Sequence, residues 1–222
     1  MKHLHRVSIR SLIVGCAALL GTLGALPAGQ AKAESYIAPQ FGVNFADRLS
    51  DVRGTGQLQG LSSPNFDLQN SLTAGVKIGH YFQNNIFGIE VDVLHSTPHG
   101  KNLDDIPGFN QRIFNIGVHL LARYPGKTFQ PYFGVGPAIL VSRIHNFLAN
   151  DSPRTLSADS EVTVGVNVLL GIRAFVTPYV AVFTEYKYTD ATPHYSGAFN
   201  TIGGFRADYT AQQLVFGVSY HF

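Results

Sequence analysis

The sequence predicts an all-β fold, an eight-stranded antiparallel up-and-down β-barrel that crosses a membrane. Three observations predict it. Apolar residues recur at every second position in eight separate segments, the period of a strand with one apolar face. The connections between those segments alternate between long and short. The charges within the segments fall almost entirely on the face opposite the apolar one. The mature chain has no apolar run of helix-spanning length. A membrane crossing therefore requires a closed barrel, in which each backbone group finds its partner on a neighbouring strand.

The first 33 residues stand outside that pattern. Lys2, Arg6 and Arg10 form a basic start, and Leu12 to Leu26 is an apolar stretch without charge. Pro27 and Gly29 break it, and Ala31-Lys32-Ala33 places small residues where a signal peptidase inspects them. This is the pattern of a Sec-type secretory signal peptide over residues 1–33, with cleavage before Glu34 and the barrel domain over 34–222. The apolar stretch falls short of the roughly 20 residues a spanning helix needs. Ile13-Val14-Gly15-Cys16 is similar to a lipoprotein box, but the apolar region continues past it to Leu26. Cys16 is therefore read as a small apolar residue within that region. Cleavage removes four basic residues and no acid. The mature chain then has 12 Lys and Arg against 14 Asp and Glu. That balance argues against nucleic acid as a partner. Cys16 is the single cysteine, so the mature chain has neither disulfide nor thiol chemistry.

The strands follow in order. Residues 34–45 set Ile37, Pro39, Phe41, Val43 and Phe45 against Tyr36, Ala38, Gln40, Gly42 and Asn44. Residues 46–70 read as a long polar loop. The second strand, 71–82, sets Leu72, Ala74, Val76 and Ile78 against Thr73, Gly75, Lys77, Gly79 and Tyr81. A short turn at 83–86 leads to the third, 87–96, with Phe87, Ile89, Val91 and Val93 opposite Glu90 and Asp92. Residues 97–111 are again long and polar. The fourth strand, 112–124, shows Phe114, Ile116, Val118 and Leu120 on one side, and Asn115, Gly117, His119 and Arg123 on the other. A short turn from Pro125 precedes the fifth, 131–143. A loop over 144–160 leads to the sixth, 161–175, where Val162, Val164, Val166, Val168, Leu170 and Ile172 alternate with Thr163, Gly165, Asn167, Leu169, Gly171 and Arg173. Val176-Thr177-Pro178 turns into the seventh, 179–188, with Glu185 and Lys187 on its polar side. A last loop, 189–209, precedes the closing strand, 214–222.

Short turns at one end and long loops at the other are the layout of an outer-membrane barrel, with short turns in the periplasm. A charge facing mid-bilayer lipid costs about 2–4 kcal/mol, so Lys77, Glu90, Asp92, Arg123, Arg173, Glu185 and Lys187 are predicted to face inward. A barrel of this size is filled by its own side chains, and these seven read as a lumen ion-pair network. A four-residue turn at 83–86 puts Lys77 opposite Asp92 and Gly79 opposite Glu90. Inward glycines at 42, 75, 117, 134, 136, 165, 171 and 217 are expected to leave room for the long charged side chains. Tyr81, Phe82, Phe87, Tyr124, Tyr132, Phe175, Tyr179, Tyr220 and Phe222 lie at the short-turn ends of strands and read as an aromatic girdle. His119 reads as a hydrogen-bonded interior histidine. His80 and His95 align with the outward faces.

Pro131-Tyr132-Phe133-Gly134-Val135-Gly136, Gly171-Ile172-Arg173, Glu185-Tyr186-Lys187-Tyr188-Thr189-Asp190 and the terminal Phe222 together resemble the outer-membrane β-barrel domain family, which includes small OmpA/OmpX-type barrels and opacity-type surface antigens. The resemblance covers the mature chain from about Ser35. It implies a Gram-negative outer-membrane location, contact with outer-membrane lipid and lipopolysaccharide, and insertion by the barrel assembly machinery. Phe216, Tyr220 and Phe222 would be the assembly signal. With the inward charges filling the lumen, the chain reads as a monomer with a structural or surface-interaction role and a polar plugged lumen; no metal-ligand spacing or phosphate-binding glycine loop occurs, so neither cofactor nor metal is expected. A peptidoglycan-binding module of the kind that follows some related barrels is not expected. A narrow porin is the alternative. The loops carry Phe66, Ile106, Phe109, Phe147, Phe199 and Phe205, which could meet lipid, a host surface or one another.

One constellation carries possible chemistry. His194-Tyr195-Ser196, with Asp208 twelve residues on, is similar to the His-x-Ser pair and distal acid of an outer-membrane lipid A 3-O-deacylase. Serine attack, a histidine base and an orienting carboxylate are the ordinary parts of acyl transfer. Three features depart from that family: Gly197 stands where it has Asn, the acid is Asp and not Glu, and His194 lies beyond the strand. The expectation is therefore a protein without catalysis.

Overall fold

The computed structural model describes residues 34–57, 59–60, 62–63, 66–67, 69–83, 85–98, 110–145, 159–195 and 203–222. Eight long strands form an antiparallel ring: β1 (Glu34–Gly56), β4 (Ser71–Tyr81), β5 (Phe87–Ser96), β6 (Asn110–Arg123), β7 (Phe129–His145), β8 (Asp159–Phe175), β9 (Val180–Ala191) and β11 (Gly203–His221). Three two-residue strands, β2 (Ser62–Ser63), β3 (Phe66–Asp67) and β10 (His194–Tyr195), flank the ring at its long-loop end. The ring closes where β11 pairs with β1. Mutual backbone bonds between Ser35 and Phe222, at 3.0 and 2.9 Å, finish that seam. Closure removes every long edge, so no unpaired backbone row is left to face lipid.

The short turns form where their residues favour them. Phe82 N–H donates to Phe87 at 2.9 Å across the 83–86 turn, and Asn85 takes a φ of 57°, a conformation asparagine tolerates well. Lys77 therefore stands opposite Asp92, and Gly79 opposite Glu90, as the turn length requires. In the 176–179 turn the Thr177 hydroxyl accepts from Val180 N–H at 2.9 Å.

The long-loop end differs from the expectation at the seam. Residues 46–56 are strand and not loop, as are 203–209, and the two stretches pair as far as Gly56 and Gly203. The missing outward apolar row hid this, because a strand beyond the membrane has no need of one; the apolar Ala207 and Tyr209 face inward instead. Register shifts at Phe45/Arg48 and Ser50/Arg53 bend the ribbon, with Asp51 at a φ of 51°. The other strand ends lie within a few residues of the expected ones.

Burial alternates along each long strand. On β6 the outward row runs Phe114, Ile116, Val118, Leu120, Ala122 and Tyr124. Ten residue steps at about 3.3 Å each, tilted by about 40°, cover about 25 Å, the height of a lipid-facing band. At the short-turn end Phe82, Phe87, Tyr124, Tyr179, Tyr220 and Phe222 are exposed, together with Phe129. Tyr81 and Tyr132 are not part of that girdle. They are 0% and 2% exposed and point into the lumen. Each shares the parity of its strand's inward residues, and that parity outweighs position near a strand end. Phe175 is half-buried, with its ring 4.7 Å from that of His221.

Candidate functional site

The lumen holds the ionisable side chains. Lys77, Glu90, Asp92, Arg123, Arg173, Glu185 and Lys187 are all buried. They come from β4, β5, β6, β8 and β9, whose inward rows place them in layers along the barrel axis. Nearest the short turns, Arg123 Nη2 donates to Glu34 at 2.5 Å and its Nη1 to Gln130 at 2.9 Å. His221 also contacts the Glu34 carboxylate. One layer deeper, the Arg173 guanidinium lies 4.2 Å from the Tyr36 ring centre and 5.3 Å from that of Tyr132. Those tyrosines hand the interaction upward: Tyr36 donates to Glu90 at 2.5 Å and Tyr132 to Glu185 at 2.8 Å.

Above them, Lys77 Nζ reaches Glu185 at 2.6 Å and Glu90 at 3.2 Å. Lys187 pairs with Asp92. Next, Asn115 donates to Thr189 at 3.1 Å, and Asn167 stands 3.1 Å from His119 Nε2. Toward the long-loop end the lumen turns apolar, with Ile113, Ala138, Leu140, Ala191, Tyr209 and Ala211 in one buried cluster.

Facing positions did not set the ion pairs. Lys77 stands opposite Asp92 in the register, yet its ammonium goes to Glu90 and Glu185. Asp92 is taken by Lys187 from β9, which lies four strands round the ring of eight from β5. In so narrow a barrel the far wall is within reach of a lysine. The sequence reading also missed Glu34. It balances Arg123, so four basic and four acidic side chains meet inside. Its place at the start of the first strand made it look like a solvated end; its inward parity with Tyr36 was the available signal.

The glycines serve a different purpose from the expected one. A Cβ at Gly79 or Gly171 would overlap the ring of Tyr36 or Tyr132, and one at Gly217 the ring of Phe183. At Gly42, Gly75 and Gly136 it would strike the backbone of the neighbouring strand. Gly134 accommodates Leu121 and Leu169, Gly117 accommodates His119 and Asn167, and Gly165 lies against Asp190 and Ala191. Rings, aliphatic side chains and close strand approach take up this space, not the charged groups.

Glu90, Asp92 and His119 bring three potential ligand atoms within 4.8 Å of one another. The Lys77 and Lys187 ammoniums already neutralise the two carboxylates. A divalent ion would have to sit beside both cations, so this arrangement suits an internal salt bridge better than a metal.

The deacylase-like residues lie at the other end. His194 is exposed on β10 and faces Arg206. Asp208 accepts from Thr192 at 3.1 Å. Ser196 lies outside the described residues, as do Ile106, Phe109, Phe147, Phe199 and residues 1–33, and the side chains of Phe66 and Phe205 likewise. His80 faces outward and meets Ser35 at 2.9 Å, and His95 stacks on Phe114 at 4.4 Å. Phe216, Tyr220 and Phe222 all point outward from β11.

Residues 16–222 match the family model described as the outer membrane protein beta-barrel domain. No curated protein matches the chain by sequence. Among solved structures, the fold is similar to Neisserial surface protein A, at a TM-score of 0.50 and 17% identity over 86% of this chain and 99% of the other. It is also similar to the outer membrane protein AlkL, whose solid-state NMR structure was solved in lipid bilayers, at a TM-score of 0.54 and 19% identity over 89% of this chain and 94% of the other.

Proposed function

Because the chain belongs to the outer membrane protein β-barrel domain family, we propose that it serves the outer membrane as a non-conducting barrel with a structural or surface-interaction role and no catalysis. The observation that carries this reading is the Lys187–Asp92 pair. It joins strands on opposite sides of the ring, so its side chains cross the lumen at mid-height. The layers below it, from Arg173 with its tyrosines down to Arg123 with Glu34, repeat the crossing. An ion entering would have to part several buried, mutually neutralised charges in a lumen that solvates separated charges poorly.

The polar seam ribbon of β1 and β11 extends beyond the apolar band and supplies a surface for contact outside the cell. The chain reaches the membrane through a signal peptide cleaved before Glu34. Phe216, Tyr220 and Phe222 act as its assembly signal, and it works as a monomer.

Planar-bilayer recording tests the reading. The purified barrel gives no conductance steps above the bare bilayer. Steady single-channel steps that change in size in Asp92→Asn would overturn it in favour of a narrow porin. Lipid A from cells expressing the wild type and Ser196→Ala has the same acyl composition; a fatty acid released by the wild type alone would establish the deacylase instead.

A further inference from the structure

Arg112 on β6 and Arg143 on β7 are direct register partners. Both are exposed. They keep the outward parity of Phe114 and Val141, the next outward-facing register pair down the same two strands. Each is the first charged residue above an apolar row that runs to Tyr124 on β6 and to Phe129 on β7. They stand at the end away from the short turns, at the upper border of the lipid-facing band, where outer-leaflet headgroups lie.

Like charges directly opposite each other in a sheet repel, with side chains starting about 5 Å apart. Elsewhere this barrel answers the same problem from within. Arg53 and Arg206 are also register partners, but Asp51 takes Arg53 Nε at 2.9 Å. Among the described residues no carboxylate contacts Arg112 or Arg143. Glu161 on the adjacent β8 faces Ser142 and keeps the inward parity of Thr163. Among the described residues the pair therefore offers two guanidinium forks without a counter-charge above a greasy wall.

We propose that Arg112 and Arg143 form a clamp for a phosphate of a phosphorylated lipid headgroup in the outer leaflet. Guanidinium forks match phosphate oxygens in bidentate geometry, and one dianionic phosphate shared by two arginines removes their repulsion. The lipid's acyl chains lie down the wall beneath, along Phe114, Ile116, Ile139 and Val141. That wall selects a lipid over a free phosphate, which would have no use for it. The proposal rests on the outer-membrane placement of the barrel and is independent of whether its lumen conducts.

Native mass spectrometry of the mature barrel in zwitterionic micelles tests it, with bisphosphorylated lipid A, dephosphorylated lipid A and inorganic pyrophosphate as probes. Wild type and Arg53→Gln retain bisphosphorylated lipid A equally. R112Q/R143Q loses affinity by at least about tenfold, the scale of one charge-assisted contact. Equal retention by R112Q/R143Q overturns the clamp, and so does equal binding of the dephosphorylated lipid. Pyrophosphate binding as tight as that of lipid A overturns the assignment to a lipid. Without lipid A, R112Q/R143Q unfolds at the same temperature as the wild type or a higher one, since it removes a repulsion. Unfolding at a lower temperature there would contradict the unneutralised pair.

Discussion

Asp92 and Lys187 show most directly how the lumen is held. Both are fully buried, and each neutralises the other from the far wall. Removing one partner leaves an unpaired charge in a medium that solvates it poorly. Asp92→Asn is expected to destabilise the folded barrel by about 3–5 kcal/mol, whereas the double change Asp92→Leu with Lys187→Met should cost much less. Urea unfolding followed by the heat-dependent gel-mobility shift checks this; equal losses for the two would mean that packing, not charge, dominates there. Gly171 is a second informative position, because any Cβ overlaps the Tyr132 ring. Gly171→Val should displace Tyr132, break its 2.8 Å bond to Glu185 and cost about 1–3 kcal/mol. Gly171→Ser behaving like the wild type would show that the ring moves aside freely. That Gly171 points inward was legible from alternation. What it makes room for was not, because the ring belongs to β7 and parity does not tell how far a side chain reaches.

Among the elements, the seam of β1 and β11 departs most from a regular barrel wall. It outlasts the apolar band and continues to Gly56 and Gly203. An alternation rule finds strands by their apolar row. Inside the membrane that row is compulsory, so the eight crossing segments were legible almost to their ends. Outside the membrane the outward face is free to be polar: residues 46–56 carry no apolar period, and on β11 the alternating Ala207, Tyr209 and Ala211 form an inward apolar row, of opposite parity to the lipid-facing Leu214 and Phe216. At the opposite end the seam depends on the two bonds between Ser35 and Phe222. Deleting Phe222 removes both, along with an outward aromatic residue of the girdle. The truncated chain should give less folded, heat-modifiable barrel in the outer membrane fraction; unchanged yield would separate Phe222 from assembly.

For the whole molecule the central expectation is orientation. Residues 34–222 carry no cysteine, so single cysteines placed in the barrel report cleanly. Arg206→Cys, exposed on β11 at the long-loop end, should be labelled in intact cells by a membrane-impermeant maleimide. Lys127→Cys, exposed in a short turn, should be labelled only after the outer membrane is permeabilised. The reverse pattern would invert the barrel and with it the assignment of the Arg112–Arg143 pair to the outer leaflet.

The sequence by itself determined the strand number, the up-and-down order, the face each crossing residue presents and the register across the 83–86 turn. Each of these follows from local rules: a period of two, a turn length, and the penalty for a charge in lipid. The tertiary structure alone decided which acid meets which base, that Glu34 joins the lumen network, and that the tyrosines relay between Arg173 and the carboxylates. Apart from Lys77 with Glu90, Arg173 with Tyr132 and His221 with Glu34, which join neighbouring strands, those partners lie on strands two to four places apart round the ring. Their meeting depends on how closing the sheet curves its walls toward each other, a property of the whole ring and not of any one segment.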